Sequence, residues 1–374
     1  MFPTFILRCF ALRGGPPAAF DDCPSQGRTA DRYGPHITHT ILLRVRPLQA
    51  ASLKIGNTGH PTPMAAAAAT SITAVQKRVP PRRTEGGGFI IADILDGLRT
   101  SDLDPFLIWH ELPRHQYSRG EMPGAPLHPH RGFNEVPYAK EMSGPTQFNH
   151  FKAKDHEGKN ALMLTGDVEW GRVGNGFMHE ALVDDRWEGT MHFFQLWINL
   201  PRAHKFDPPE FQRAAAAVLP LVAADKVRTK VNVGEYQGQA SPIESQYVEA
   251  QYLDFMIEPG GSVQHTPPAA CTTRFAYCYA GAGSLGGTAV KAGELIVLSK
   301  EGSILTASVD AGQANAPDMD YALGFLFIAG APIGEPVVQH GPFVMTSRDE
   351  IMQCFQDYQR GGLCSKPISY REYK

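Results

Sequence analysis

The stretch Leu127-His-Pro-His-Arg-Gly-Phe133 contains two histidines separated by a single residue. On a β-strand, residues i and i+2 point to the same face, so the imidazoles of His128 and His130 can reach one metal ion while Pro129 points away. The same spacing is compatible with two structural histidines, because the chain contains 14 histidines in all. The pair alone therefore permits a metal site without establishing one.

A second block, about 50 residues further along the chain, supplies a third histidine. Its sequence is Gly166-Asp-Val-Glu-Trp-Gly-Arg-Val-Gly-Asn-Gly-Phe-Met-His-Glu180. The closely spaced glycines tighten the backbone just before His179 and place that side chain where a turn passes into a strand. Three imidazoles, together with a carboxylate or water and an open position, suit Fe(II), Mn(II) or Zn(II).

The composition around these blocks favours short strands. The chain has 374 residues with 37 Gly and 30 Pro, a frequency that argues against a helical bundle or coiled coil. This length predicts two domains. The net charge of −3 argues against a broad cationic surface, so we expect no direct binding to nucleic acid. No apolar run approaches the roughly 20 residues of a membrane-spanning helix, so no membrane partner is expected.

Strand-like runs fall into two sets along the chain. Phe193-Phe-Gln-Leu-Trp-Ile-Asn-Leu-Pro201 belongs to the first set and Tyr321-Ala-Leu-Gly-Phe-Leu-Phe-Ile328 to the second. In each set a glycine followed by an acidic residue forms a predicted turn before a strand-like run, at Gly166-Asp167 and at Gly293-Glu294. The pattern predicts two copies of one β-barrel. Near the end, Ser347 followed by Glu350 is a capping box, which predicts a terminal helix.

These blocks resemble known proteins. His-x-His followed by Gly-x-Gly-x-x-His resembles the metal-binding pattern of the cupin barrel. From about residue 75 to the C-terminus the chain resembles the pirins, in blocks that keep their order: His128-Pro-His-Arg-Gly-Phe133, Gly174-Asn-Gly-Phe-Met-His179, Gln195-Leu-Trp-Ile-Asn-Leu-Pro201 and Glu335-Pro-Val-Val-Gln-His-Gly-Pro-Phe-Val-Met345.

The resemblance implies an all-β fold of two cupin (jelly-roll) β-barrels in tandem, with a C-terminal helix. It also implies one iron ion in the N-terminal barrel and a C-terminal barrel that has lost its metal. The sequence agrees with that loss, because Glu258-Pro-Gly-Gly-Ser-Val-Gln-His265 offers one histidine where a metal site needs two or three.

We expect four segments. They are a disordered or targeting extension over residues 1–75, an N-terminal metal-binding cupin over 76–205, a connector over 206–245 rich in helix-compatible alanines, and a C-terminal cupin with its terminal helix over 246–374. Residues 1–63 carry seven Lys or Arg against three Asp, which permits organellar targeting. Otherwise a cytoplasmic or nuclear location is expected, since cysteines are few and lack metal-site spacing: Cys9, Cys23, Cys271, Cys278, Cys354 and Cys364.

The ligand set departs from the pirin pattern. The resemblance implies a glutamate two residues beyond the third histidine, where this chain has Ala181; Glu180 directly follows His179. We predict that His128, His130, His179 and Glu180 bind one Fe(II), with Mn or Zn as alternatives. Glu180 is also the predicted catalytic residue. A bulge would have to turn its side chain toward the metal.

Two alternatives to Glu180 stay open. Glu135 lies five residues after His130 and matches a looser cupin spacing. Otherwise, a water molecule completes a site of three histidines.

The resemblance implies two functions of different classes. Some pirins act as quercetin 2,3-dioxygenases, which implies a non-haem iron oxidoreductase whose partner is a small chelating aromatic substrate such as a flavonol or phenol. Other pirins are redox-dependent transcriptional co-regulators, which implies a protein partner and no turnover. A third option is a binding scaffold. We expect a monomer.

Overall fold

The computed structural model describes residues 70–85, 88–145 and 150–374. In this part of the chain β-strands dominate, and the expected fold of two tandem cupin barrels with a C-terminal helix is confirmed. Of the predicted extension, residues 1–69 lie outside the described residues. Neither α-helix of the described part is long and apolar enough to cross a bilayer.

The first half of the described chain forms thirteen strands and one short helix, α1 (Thr100–Leu103). The strands are β1 (Ser71–Ile72), β2 (Ala74–Arg78), β3 (Arg82–Glu85), β4 (Phe89–Asp93), β5 (Phe106–Tyr117), β6 (Ala125–His130), β7 (Phe133–Met142), β8 (Phe151–Asp155), β9 (Asn160–Met163), β10 (Val168–Arg172), β11 (Phe177–Leu182), β12 (Gly189–Asn199) and β13 (Glu210–Ala214).

The second half forms fourteen strands and the terminal helix α2 (Arg348–Gln359). The strands are β14 (Leu221–Ala224), β15 (Val227–Val233), β16 (Glu235–Tyr236), β17 (Gln239–Ala240), β18 (Ala250–Ile257), β19 (Ser262–His265), β20 (Thr273–Leu285), β21 (Thr288–Lys291), β22 (Glu294–Leu298), β23 (Ile304–Ser308), β24 (Leu323–Gly330), β25 (Val338–His340), β26 (Phe343–Met345) and β27 (Ser369–Tyr373).

The N-terminal barrel consists of two facing sheets. The larger sheet has the order β27-β13-β10-β7-β12-β5-β4-β3, and the smaller has the order β6-β11-β8-β9. Because side chains alternate along a strand, β7 has two different faces. Phe133 packs with Phe177 between the two sheets, whereas Val136 and Tyr138 pack toward the other barrel. The inner face of β7 therefore points at β11, the strand that carries the third histidine.

The C-terminal barrel is built on a sheet whose main order is β1-β23-β20-β24-β18-β15-β14. Strand β19 pairs with β23, β21 pairs with β20, and β22 pairs with both β20 and β2. A cluster of buried side chains fills this barrel, including Leu253, Phe255, Phe325 and Leu305. Its interior is predominantly apolar.

The two barrels pack against each other through the largest hydrophobic cluster, and residues 70–374 belong to one compact unit. Two buried hydrogen bonds cross this interface: the hydroxyl of Tyr138 donates to the Asp254 carboxylate at 2.7 Å, and that of Tyr277 donates to Glu111 at 2.6 Å. Within the C-terminal barrel, Tyr279 also donates to Asp254, at 2.7 Å. These bonds satisfy carboxylates that are otherwise costly to bury.

The first and last strands of the described residues join the barrel that is distant in sequence. Strands β1 and β2 join the C-terminal sheet by pairing with β23 and β22, while β27 joins the N-terminal sheet by pairing in parallel with β13. The structure thus differs from the predicted boundaries, because the predicted connector, residues 206–245, contributes β13 to one barrel and β14 and β15 to the other. Its alanine run at 214–217 spans the end of β13 and the start of a short 3-10 turn, Ala216–Val218, since strand pairing overrides local helix propensity.

Helix α2 begins where the capping box predicts. The Ser347 hydroxyl caps the helix by accepting a hydrogen bond from the Glu350 amide, and the Glu350 carboxylate accepts one from the Ser347 amide. The chain then turns at Gly361, whose φ of +72° favours glycine. Ile351 and Cys354 bury one face of the helix in a cluster that includes residues of β26.

Candidate metal centre

The three predicted histidines converge inside the N-terminal barrel. Strands β6 and β11 pair antiparallel with His128 directly opposite His179, and His130 opposite Phe177. One ring nitrogen from each histidine lies within 4.8 Å of the other two. The Nε2 atoms of His128 and His179 are 3.1 Å apart. The spacing in the sequence and the cross-strand register therefore produce one cluster of three imidazoles.

Glycines position the strand that carries His179. At Gly174 the φ angle is +44°, and a Cβ there would lie 2.2 Å from the Asp207 carbonyl oxygen. At Gly176 the φ angle is +146°, and a Cβ would lie 2.3 Å from the Leu363 carbonyl oxygen. Any side chain at either position would displace the backbone just before β11. The glycine-rich block thus fixes where the third imidazole enters the barrel.

The three histidines are held in the neutral form that binds metals. Burial lowers the pKa of His128. Burial, followed by repulsion from neighbouring imidazoles, holds the pKa values of His130 and His179 well below their ordinary value. The Nδ1–H of His128 donates to the Pro126 carbonyl at 2.7 Å. This bond leaves the lone pair of His128 Nε2 free to face the cluster.

Glu135 is the carboxylate that approaches the cluster from β7. One of its oxygens lies 3.7 Å from His130 Nε2 and the other 3.7 Å from His179 Nδ1. The side chain is buried, and Gln195 donates to it at 3.3 Å. Burial, and then repulsion from Glu169, raises the pKa of Glu135 well above its ordinary value. A cation between Glu135 and the histidines would compensate this buried acid.

The predicted ligand Glu180 lies elsewhere. It is half-buried on β11 and pairs with Lys154 of β8 in an unbroken register. The pairing of β11 with β6 has a bulge after His179. From the pair His179–His128 to the pair Ala181–Ala125 the chain advances two residues on β11 and three on β6, so the extra residue lies on β6. Strand alternation then points Glu180 away from the face of His179. Among the described residues the close group contains the three histidines and neither Glu180 nor Glu135; a metal role for either carboxylate stays a prediction.

Aromatic side chains surround the imidazoles. The rings of His130 and Trp197 are 5.3 Å apart in an edge-to-face arrangement, and Phe133 stacks on Trp197 at 4.1 Å. The Phe177 ring lies 4.9 Å from His179. Sequence reasoning missed Trp197 and Gln195 as site residues, although both belong to the block Gln195-Leu-Trp-Ile-Asn-Leu-Pro201. Both residues lie on β12, where Gln195 contacts Glu135 and Trp197 contacts His130. These contacts appear only in the folded barrel.

The residues present fit a divalent transition metal. When two nitrogens bind the same ion at about 2.1 Å with an angle of about 90° at the metal, the nitrogens lie about 3 Å apart. The Nε2–Nε2 distance of 3.1 Å between His128 and His179 matches that separation. The three neutral imidazoles form a nitrogen donor set without thiolate, with the Glu135 carboxyl 3.7 Å from two of them, which suits iron, manganese, zinc or nickel.

Comparisons with known proteins agree with the fold. Residues 91–198 match the family model described as Pirin, and residues 252–364 match the model described as Pirin C-terminal cupin domain. Pirin-1 of Arabidopsis thaliana is 33% identical over 74% of this chain and 88% of its own length. Pirin of Homo sapiens is 31% identical over 74% of this chain and 89% of its own length.

A solved structure gives the same result for the architecture. The crystal structure of quercetin 2,3-dioxygenase from Acinetobacter baumannii superposes with a TM-score of 0.69 at 26% identity. The superposition covers 78% of this chain and 98% of that protein.

Proposed function

Because the chain belongs to the pirin family, we propose that its N-terminal barrel binds one Fe(II) ion and that it oxidises a chelating flavonol or phenol, as a quercetin 2,3-dioxygenase does. The observation that carries the proposal is the cluster of His128, His130 and His179. A structural neighbour named quercetin 2,3-dioxygenase supports the reaction class.

Each residue of the site has a proposed role. His128, His130 and His179 hold the metal, and Glu135 provides the carboxylate that the sequence analysis assigned to Glu180. The iron, when bound, supplies a positive centre for the two oxygens of a chelating substrate and the redox chemistry with dioxygen. The protein contributes the fixed arrangement of these donors.

Glu135 also suits proton transfer. Without a metal, burial raises the pKa of Glu135 well above its ordinary value, which favours the protonated carboxyl. A cation beside Glu135 would favour the ionised form, which could accept the proton of a substrate hydroxyl. Gln195 keeps the acceptor oxygen oriented by donating to it.

The aromatic walls serve the same reaction. Phe133, Phe177 and Trp197 are buried beside the histidines. Their apolar surfaces exclude water, which strengthens the electrostatic interactions within the site. The planar ring of a flavonol or phenol packs favourably against such walls.

The test is oxygen consumption by the iron-loaded protein after addition of quercetin. We expect consumption in the wild type and none in His130→Ala. His115→Ala is the matched control, because His115 is about half exposed and contacts Glu121 away from the cluster; it should consume oxygen as the wild type does. A wild type that consumes no oxygen with quercetin or with simple catechols would refute the dioxygenase.

A second candidate function is that of a redox-dependent regulator that binds a protein partner. The contacts of Arg131 support it. The buried guanidinium next to His130 donates to Asp357 of α2 at 2.6 Å and to the Leu363 carbonyl at 3.1 Å. A change at the metal site can therefore reach the C-terminal helix. We expect amide hydrogen exchange in α2 to differ between the Fe(II) and Fe(III) forms, and equal exchange would contradict this role.

A further inference from the structure

A small cavity in the N-terminal barrel adjoins the histidine cluster. His179, Glu169 and Arg213 contribute to its lining. The cavity volume is about 20 Å³, which is enough for about one ordered water. A water molecule or a diatomic gas fits this space, whereas an aromatic chelator does not.

The strand β27 provides one wall of this cavity through Tyr370. The strand comes from the last residues of the chain and extends the larger sheet by pairing in parallel with β13. The last residues of the chain, beyond the match to the Pirin C-terminal cupin domain model at residue 364, therefore form this wall.

Tyr370 is held between the two sheets of the barrel. Its ring packs against Phe211 of β13 at 6.0 Å, and the Lys159 ammonium lies over the ring at 3.4 Å from its centre. Its hydroxyl donates to the Asp155 carboxylate of β8. The side chain thus bridges from the larger sheet to the smaller one across the cavity.

The other contacts between this segment and the smaller sheet are weak. The Ile368 amide donates to Glu157 at 3.1 Å, and Glu372 pairs with Lys159 at 3.5 Å, with both partners exposed to solvent. Exposed pairs of this kind contribute little to stability. The Tyr370 side chain therefore makes the main contact between β27 and the smaller sheet, while the strand itself stays paired with β13.

We infer that Tyr370 and β27 form a cover that sets the size of the ligand reaching the metal. With the cover closed, small ligands enter, and an aromatic chelator must displace Tyr370 before it binds. The inference rests on the proposed metal site and identifies Tyr370 as a residue that determines substrate specificity. The metal ligands themselves are unchanged by it.

The test compares two probes of different size on the iron-loaded protein. Nitric oxide, detected by its paramagnetic resonance signal with Fe(II), is the small probe, and 4-nitrocatechol, detected by its visible absorption, is the aromatic one. Replacing Tyr370 with alanine should strengthen 4-nitrocatechol binding about tenfold or more, because the cost of displacing the ring is removed. Nitric oxide binding should stay the same.

Two further variants complete the experiment. Tyr373→Ala is the matched control, since Tyr373 lies on the opposite face of β27 and packs toward the inter-barrel core; it should bind both probes as the wild type does. Tyr370→Leu shortens the side chain but keeps an apolar contact with Phe211, and it carries the test if the alanine variant does not fold.

The outcomes separate the inference from the function on which it rests. Equal 4-nitrocatechol affinity in the wild type and the Tyr370 variants, with nitric oxide bound in all of them, would overturn the cover and leave the metal site intact. An iron-loaded wild type that binds no nitric oxide would overturn the open metal site and the cover together.

Discussion

The two barrels place different residues at equivalent positions. Strands β6 and β19 each end in a histidine, and each pairs antiparallel with one strand, β11 or β23. Two residues before that terminal histidine, His128 faces His179 in the N-terminal barrel, whereas Val263 faces Ala307 in the C-terminal barrel. The backbone pairing is the same in both barrels, and the side chains at one cross-strand pair decide whether imidazoles can meet.

The remaining histidine of the C-terminal barrel has a structural environment. His265 is buried and shares a hydrogen bond of 2.7 Å with Gln251. The rings of Tyr236 and Phe327 lie 5.3 and 5.7 Å away. Burial lowers the pKa of His265 to about 4, so it is neutral at pH 7. The comparison shows that a cupin barrel can keep one buried histidine as part of its core.

The largest expected effect is complete loss of metal from one barrel only. The double variant His128→Ala/His130→Ala should lose about one equivalent of iron per chain, because a single imidazole cannot hold the ion. His265→Ala should retain that equivalent. The measurement is elemental analysis of the purified proteins. Iron retained by the double variant, or lost from His265→Ala, would reverse the assignment of the two barrels.

The second prediction uses acid to test the structural role of His265. Its pKa is about 4 in the folded protein against an ordinary value of 6.5. Between these values the unfolded chain binds more protons at this position, so the contribution of neutral His265 to stability is lost as the pH falls through the window. The loss between pH 7 and pH 4.5 amounts to about 2 to 3 kcal/mol.

Urea unfolding at pH 7 and pH 4.5 measures this loss. The wild type should lose about 2 to 3 kcal/mol more of its unfolding free energy than His265→Gln does, since every other histidine titrates in both proteins. His115→Ala removes an exposed histidine and should lose as much stability as the wild type. Equal losses in the wild type and His265→Gln would place His265 in water rather than in the core.

The comparison also shows which features local sequence can predict. The spacing of His128 and His130 fixes their common face within one strand, and the glycines before His179 fix the start of β11. These are local properties, and the sequence predicted them. The pairing of β27 with β13 joins segments more than 150 residues apart, and no local pattern specifies such a contact.

Glu135 illustrates the same limit on a smaller scale. The spacing of five residues from His130 does not determine its orientation, because Gly132, with a φ of +92°, turns the chain between β6 and β7. The two strands belong to different sheets that face each other. Only the packing of the sheets shows that Glu135 points at the histidines.

The smallest of the three effects distinguishes the two carboxylates. Glu135→Gln should weaken iron binding about 10- to 100-fold, because the amide keeps the shape of the side chain and removes its negative charge. Glu180→Gln should bind iron as the wild type does, since strand alternation points Glu180 away from the histidine face. Competition with a chromophoric chelator measures both affinities.

A rescue variant sharpens this last prediction. Ala181 lies two residues beyond His179 on the same strand, so a glutamate at that position would share the face of the imidazole. Adding Ala181→Glu to Glu135→Gln should therefore restore most of the lost affinity by returning a carboxylate to the cluster from β11 instead of β7. Weak binding by Glu180→Gln together with wild-type binding by Glu135→Gln would instead support Glu180 as the ligand. Binding by Glu180 would require β11 to twist beside His179 when the metal binds.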